Sequence, residues 1–178
     1  MMVRPLLRSG EPKGVEALDL LKSDHRRFLR ALGAMEASFL DPQRGSSIGI
    51  GNAARFFRAE LEAHMKAEEG MLYPTLAFHA PTRAIFSSLK AEHALVRRHL
   101  CSLERALAEE GRGEIGEPAL RSGRAFVRSF VHHIFTEEHV LFPLVEKLVN
   151  GSEREEIGKA IWALERGELS ADTLTPGD

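Results

Sequence analysis

"HHIFTEEHVLFP", residues 132–143, carries the pattern His-x3-Glu-Glu-x3-aromatic-Pro from His133 onward. The stretch "HMKAEEGMLYP", residues 64–74, carries the same pattern from its first residue, without a gap. In an α-helix, residues four positions apart project from one face, one turn apart. Each stretch therefore places a histidine above a glutamate on one helix face, and the pairs are His64 with Glu68 and His133 with Glu137.

Apolar residues recur at alternating spacings of three and four in four long segments, which is the period of an α-helix. One seam runs through Leu18, Leu21, His25, Phe28, Leu32, Met35 and Phe39, and another through Phe86, Leu89, His93, Val96, Leu100, Leu103 and Leu107. The two quoted stretches extend seams through Phe57, Leu61, His64, Glu68 and Met71, and through Phe126, Phe130, His133, Glu137, Val140 and Leu144. The alternation typical of strands is not sustained, so the pattern predicts an all-α protein.

Clusters of glycine and proline separate these segments at residues 40–51, 79–82, 109–118 and 149–152. Four long helices with short connections predict an antiparallel up-down four-helix bundle over about residues 15–149. Ser152 and Glu155 fit a capping box that opens a short fifth helix over about residues 152–166. We expect a flexible tail over about residues 169–178. At 178 residues the whole chain, 1–178, is interpreted as a single domain.

Composition and charge exclude several classes of partner. The net charge of −2 and the pI near 6.5 come from mixed signs, so no basic surface is expected to bind nucleic acid. No run approaches the roughly 18 apolar residues of a membrane span, and the amino-terminal residues are not expected to act as a secretory signal. A single cysteine, Cys101, excludes an intrachain disulfide and favours a reducing, cytoplasmic location.

The seam histidines are predicted to meet in one layer of the bundle. If the turns lie at Gly45, Pro81 and Gly113, the histidine of each helix lies at a matching distance from its turns. That layer would contain His25, His64, Glu68, His93, His133 and Glu137. Buried carboxylates and imidazoles need compensation, which a cation supplies. We therefore predict that these six residues are metal ligands.

The donor set indicates which metal is expected. Imidazoles and carboxylates suit iron, manganese or zinc, and no clustered cysteines are present. Six ligands exceed what one tetrahedral zinc ion uses. Two ions bridged by the two carboxylates would use all six, with room for a bridging oxygen and an open position, so the count favours two iron ions over zinc or manganese. The Glu-x-x-His motif of ferritin-like di-iron proteins does not occur, because no acidic residue lies three positions before any histidine.

These residues carry a resemblance to a known family. His25 in "SDHRRF", the stretch "HMKAEEGMLYP", His93 in "AEHALVRRH" and the stretch "HHIFTEEHVLFP" resemble the hemerythrin-like, HHE cation-binding family. The resemblance implies a non-heme di-iron four-helix bundle with four terminal histidine ligands and with Glu68 and Glu137 as bridges. The ligand pattern is most similar to that of the di-iron domains of iron-sulfur cluster repair proteins.

The chain departs from the oxygen-carrying hemerythrins at two positions. Arg97 stands where their third helix continues to a second histidine, and their last carboxylate would correspond to Glu138. The four-residue spacing selects Glu137 instead. The second glutamate of each motif is expected to turn off the shared face, and the roles of His132, Glu138, Tyr73 and Arg97 stay open.

The expected function is binding of metal and of a small ligand, namely dioxygen, nitric oxide or peroxide, for sensing, storage or stress response. The alternative is a di-iron redox enzyme, or an iron-donating repair protein for damaged iron-sulfur clusters. A third class is a bundle whose metal is structural and whose fifth helix serves a partner or a homodimer. The ligand count argues against this class, because structural sites are usually closed and hold one metal.

Overall fold

The computed structural model describes residues 14, 16–40, 47–79, 83–111 and 114–165 of the chain. Over these ranges the ordered elements are helical, and no strand occurs among them. In chain order they are α1 (Ala17–Leu40), α2 (Ser47–Ala67), the π-helical segment π1 (Glu68–Leu72), α3 (Tyr73–His79), α4 (Arg83–Glu110), α5 (Glu117–Thr136), the π-helical segment π2 (Glu137–Leu141), α6 (Phe142–Leu148) and α7 (Gly151–Glu165). The predicted all-α helical bundle with a short C-terminal helix is confirmed.

The helix α2 begins earlier than the glycine-rich sequence suggested. The stretch 40–51 was expected to be a break, but the helix starts at Ser47 and includes Gly49 and Gly51. Each glycine in a helix interior costs about 1 kcal/mol relative to alanine. Ile50 is only 1% exposed, and burial of a side chain of this size stabilises by about 1.5–3 kcal/mol, which offsets that cost.

The end of α4 and the start of α5 are both determined locally. Gly111 has a φ of 74°, in the left-handed region that terminates helices, and its N–H donates to the carbonyl of Leu107. The carboxylate of Glu110 accepts hydrogen bonds from the N–H groups of Gly116 and Ala119, at 2.9 and 3.1 Å. It thereby satisfies backbone donors at the first turn of α5.

The π-helical segments lie within the two repeated motifs and keep the backbone helical from α2 into α3 and from α5 into α6. In π1 the N–H of Tyr73 donates to the carbonyl of Glu68, five residues earlier. A proline lacks the N–H, and its ring clashes with the carbonyl four residues back in a regular α-helix. Since Pro74 and Pro143 directly follow the first residues of α3 and α6, we attribute both wide turns to these prolines.

The wide turn of π2 changes which residues of the fourth seam are buried. Val140 was expected on the seam, but it is 47% exposed. Leu144, also expected there, is only half-buried. The buried positions are instead Leu141, Phe142 and Val145. A π turn contains an extra residue, which rotates the apolar face relative to a regular helix.

The described helices divide into two compact units. Unit 1 comprises the described residues of Met1–Asp24, Ala59–Ser87 and Glu137–Asp178, and unit 2 comprises His25–Arg58 and Ser88–Thr136. In unit 1, α3 contacts α6, and α7 contacts π1. The apolar side of α7 is buried through Ile157 and Ile161.

The capping box of α7 differs from the predicted one. Asn150, rather than Ser152, is the cap: its side-chain oxygen accepts the N–H of Glu153 at 3.0 Å, and the Glu153 carboxylate accepts the N–H of Asn150 at 3.1 Å. The other oxygen of Glu153 lies 3.1 Å from Nε2 of His79. The cap residue was misplaced because Asn150-x-x-Glu153 and Ser152-x-x-Glu155 both fit the motif.

The core of unit 2 is aromatic. Phe28 lies 5.2 Å from Phe130, and Phe57 lies 5.0 Å from Phe126, between ring centroids. These four rings are at most 1% exposed. Tilted and edge-on ring pairs of this kind add about 0.5–1.5 kcal/mol beyond their area burial, so they stabilise the core of unit 2.

Three further features of the sequence, namely the membrane spans, the cysteine and the expected turns and tail, can be compared with the structure. None of the described helices is both long and apolar enough to cross a membrane. Cys101 is exposed on α4. The expected turn residues Gly45, Pro81 and Gly113, and the expected tail 169–178, lie outside the described residues.

Candidate metal centre

All six residues predicted as ligands are buried. His25, Glu68, His93, His133 and Glu137 are 0% exposed and His64 is 3% exposed. The second glutamates of the motifs, Glu69 and Glu138, are half-buried, and His132 and His139 are exposed. Burial of a carboxylate is stable where it is hydrogen-bonded, paired with a cation or bound to a metal. The burial pattern therefore separates the first glutamate of each motif from the second.

In unit 1, His64 lies in the last turn of α2 and Glu68 opens π1. The Nε2 atom of His64 is 3.4 Å from Oε1 of Glu68. The Nδ1 atom on the opposite side of the ring is 3.5 Å from Oδ2 of Asp24. The imidazole thus lies between two buried carboxylates, one on each ring nitrogen.

Tyr73, the first residue of α3, lies beside the other motif glutamate of unit 1. Its hydroxyl donates to Oε1 of Glu137 at 3.3 Å. Burial raises the pKa of Tyr73 far above its usual value, and the carboxylates of Glu68 and Glu137 raise it further. The ring stacks on Phe86 with centroids 5.1 Å apart and planes within 11°. A neutral phenol is therefore held against Glu137.

In unit 2, His93 of α4 and His133 of α5 face each other through the same ring atom. Their Nε2 atoms are 3.0 Å apart, and their rings cross at 73° with centroids 4.5 Å apart. Phe130 lies one turn before His133, with ring planes within 21° of each other. Two imidazole nitrogens directed at the same point are a typical donor pair for a transition metal ion.

Glu92 contacts the far side of one of these rings. Its Oε2 is 3.1 Å from Nδ1 of His133, and its Oε1 is 4.0 Å from Nε2 of His132. The side chain of Glu92 is 17% exposed and that of His132 is 70% exposed. His132, whose role the sequence left open, therefore lies at the solvent side of Glu92.

Two groups of four buried side chains could each hold a metal ion, with candidate ligand atoms within 4.8 Å of one another inside each group. One group consists of His25, His64, Glu68 and Glu137, and the other of Glu68, His93, His133 and Glu137. Together they contain the six residues predicted from the sequence, and no others. Imidazole nitrogens and carboxylate oxygens form a donor set that fits iron, manganese or zinc.

Sequence reasoning missed Asp24 and Glu92 and left Tyr73 undecided. Each of the two acids directly precedes a single seam histidine, in "DH" at 24–25 and "EH" at 92–93, but this adjacency does not indicate the histidine that the acid contacts. The signal for Tyr73 was its position in the repeated motif, where Phe142 occupies the equivalent place. Of these two residues, only Tyr73 has a hydroxyl that can donate a hydrogen bond.

Of three comparisons with known proteins, the one with protein families returned a match. The comparisons with curated proteins and with solved structures returned no match. The scan of protein families matches the hemerythrin HHE cation binding domain over residues 16–145, which is more than half of the chain. The match covers all six buried residues, Asp24 and Glu92. The chain therefore belongs to the hemerythrin family of HHE cation-binding domains.

Proposed function

We propose that the protein binds two iron ions and, through them, a small ligand, with dioxygen, nitric oxide and peroxide as candidates. The proposed terminal ligands are His25, His64, His93 and His133, and the proposed bridges are Glu68 and Glu137. The observation that carries the proposal is that Glu68 and Glu137 belong to both candidate metal groups. Each carboxylate has two oxygens and can accept from two directions, so each can serve two ions.

The number of donors supports iron and an open position. Six donors exceed one tetrahedral zinc site, and structural zinc sites are closed. Two irons in this donor set would supply exchangeable coordination and electrons for a small ligand. Hemerythrin domains bind small ligands, which supports the same assignment here.

The surrounding residues support ligand binding in a dry site. Phe130 covers one face of the His133 ring, and Tyr73 is stacked on Phe86. Apolar walls exclude water and strengthen electrostatic interactions inside a site. The Tyr73 hydroxyl donates to Glu137 and would restrict that carboxylate to one orientation.

A redox enzyme or an iron-donating repair protein is the second candidate. The observation that favours a redox reaction is the buried phenol of Tyr73 beside Glu137, because a phenol that stays protonated can donate a hydrogen bond close to a proposed ligand. We also propose a cytoplasmic setting, since the single cysteine, Cys101, is free and exposed and an exposed thiol is suited to a reducing compartment.

The metal proposal is tested by purification from iron-supplied cells. We expect about two irons per chain and charge-transfer absorption in the near ultraviolet. A protein that takes up one zinc ion and rejects iron under the same conditions would contradict the di-iron assignment. Metal analysis should be made on the full chain.

The two functional candidates are separated by mixing the reduced protein with dioxygen in a stopped-flow instrument. A stable spectral change that reverses when dioxygen is removed would support ligand binding. Rapid and irreversible oxidation would support redox chemistry. If the hydrogen bond from the Tyr73 hydroxyl assists that oxidation, Tyr73→Phe should slow it while leaving the iron content unchanged.

A further inference from the structure

Two carboxylates outside the proposed ligand set contact ligand histidines. We propose that Glu92 and Asp24 are positioning residues, which hold His133 and His64 by Nδ1 so that Nε2 of each ring is directed to the metal. This inference rests on the proposed metal-binding function. It assigns the two acids a role in metal affinity rather than in folding.

Glu92 gives the clearer geometry. The 3.1 Å contact between its Oε2 and Nδ1 of His133 is a hydrogen-bond distance. If Nδ1 donates its proton to the carboxylate, the neutral ring carries its lone pair on Nε2. That Nε2 is the atom 3.0 Å from Nε2 of His93. The carboxylate therefore selects the tautomer that metal binding requires.

Asp24 has the equivalent position in unit 1. Its Oδ2 is 3.5 Å from Nδ1 of His64, and Nε2 of the same ring is 3.4 Å from Glu68. The Asp24 residue is 4% exposed, so its carboxylate is well shielded from water. At 3.5 Å this is an ion-pair distance rather than a formed hydrogen bond, so the hold on His64 is weaker than that of Glu92 on His133.

The two acids occupy matching places in the chain. Asp24 directly precedes His25 on α1, and Glu92 directly precedes His93 on α4. Each acid therefore follows the same rule: it is the neighbour of a single seam histidine and contacts the histidine of the next His-x3-Glu motif. One such contact occurs within each unit, so the second is an independent instance of the first.

The physical effect expected of such a contact is on the metal. A carboxylate that accepts from a ligand histidine fixes the ring orientation and raises the basicity of the other nitrogen. Loss of such a partner typically lowers metal affinity by about 10–100-fold. Loss of a carboxylate that only stabilises the fold would instead lower the melting temperature of the metal-free protein.

The test compares Glu92→Ala and Glu92→Gln with the matched control Glu104→Gln on the same helix. Glu104 forms an ion pair with Arg58, distant from the candidate ligands in sequence. Iron affinity is measured by competition with a chelator, together with the near-ultraviolet absorption and the melting temperature of the metal-free protein. We expect Glu92→Ala to lower iron affinity by about 10–100-fold and Glu104→Gln to leave it within about twofold.

The glutamine variant separates position from charge. Its amide oxygen still accepts the Nδ1–H of His133, so we expect the iron content to be retained, with an affinity between those of the wild type and Glu92→Ala. Asp24→Ala and Asp24→Asn should follow the same order with smaller changes, because the contact to His64 is longer. If Glu92→Ala does not fold, Glu92→Gln and Asp24→Asn decide the question.

Two outcomes count against the inference in different ways. If the wild type binds iron and the Glu92 and Asp24 variants match Glu104→Gln in affinity and absorption, the positioning role is wrong while the metal site stands. If the wild type binds no iron, the proposed function is wrong, and this inference is overturned with it.

Discussion

Glu137 lies four residues after His133 and Glu138 lies five, and this difference of one position separates a buried side chain from a half-buried one. Glu137 is 0% exposed and belongs to both candidate metal groups, whereas Glu138 is half-buried. We expect Glu137→Ala to lower iron affinity by more than the roughly 10–100-fold typical of losing a supporting residue. Glu138→Ala should stay within about twofold of the wild type. Competition with a chelator measures both affinities, and equal losses would show that the wrong glutamate was chosen.

Tyr73 is the single tyrosine of the chain, so any tyrosinate absorption of the protein comes from this residue. Its folded pKa is raised by burial, so its contribution to stability is present below the unfolded pKa of about 10 and is lost as the pH rises above it. In the metal-free protein we expect no tyrosinate absorption near pH 10 until the far-ultraviolet circular dichroism shows unfolding. Tyr73→Phe should make the alkaline loss of stability shallower. Tyrosinate absorption in a fully helical protein near that pH would contradict the expected environment.

Burial of the six ligand candidates could be predicted from seam spacing, but the carboxylates behind them could not. Asp24 and Glu92 lie beside their seams rather than on them, and seam analysis assigns such positions to solvent. Their contacts are with residues far along the chain, His64 and His133. Periodicity within one helix has no information about such pairs.

For the individual helices, the apolar periodicity predicted that each helix exists. It did not predict which residues of the fourth seam are buried after Glu137. The seam of α1 is buried at every predicted position. The fourth seam failed beyond Glu137 because π2 adds a residue to one turn, and the 3.6-residue period assumes that no such insertion occurs. Pro143 was the available signal, since a proline within an apolar helical pattern cannot be accommodated without a local change.

The close approach of α5 to α1 depends on one glycine. A Cβ atom at Gly123 would lie 2.1 Å from the ring of Phe39, which is 1% exposed. Gly123→Ala would gain about 1 kcal/mol of helix propensity. Overpacking of a core typically costs about 1–3 kcal/mol, and a distance this short places the cost at the upper end. We expect net destabilisation of about 1–2 kcal/mol, measured by urea unfolding.

A matched glycine provides the control for this prediction. Gly33 lies inside α1, and nothing lies within 4 Å of the Cβ atom that alanine would add there. Gly33→Ala should therefore stabilise the protein by up to about 1 kcal/mol. If both substitutions stabilise, the contact with Phe39 relaxes more readily than its geometry suggests.

For the whole molecule, the candidate ligands extend from His25 to Glu137 along the chain. An unfolded chain cannot bring ligands so far apart in sequence to one ion without paying the entropy of closing long loops. Metal should therefore bind the folded chain far more tightly than the unfolded one. Binding of this kind raises stability by mass action, by about 2.7 kcal/mol when the free metal is 100 times its dissociation constant.

This linkage makes stability a measure of the site. Loading with ferrous iron under anaerobic conditions should raise the melting temperature by about 5–10 °C at that concentration, given the usual scaling for chains of this size. His64→Ala removes a proposed ligand and should abolish most of the rise. His139→Ala removes an exposed histidine that lies in the other motif stretch, residues 133–143, and should leave the rise intact. An equal rise in both variants would mean that iron stabilises the fold from a place other than the six buried residues.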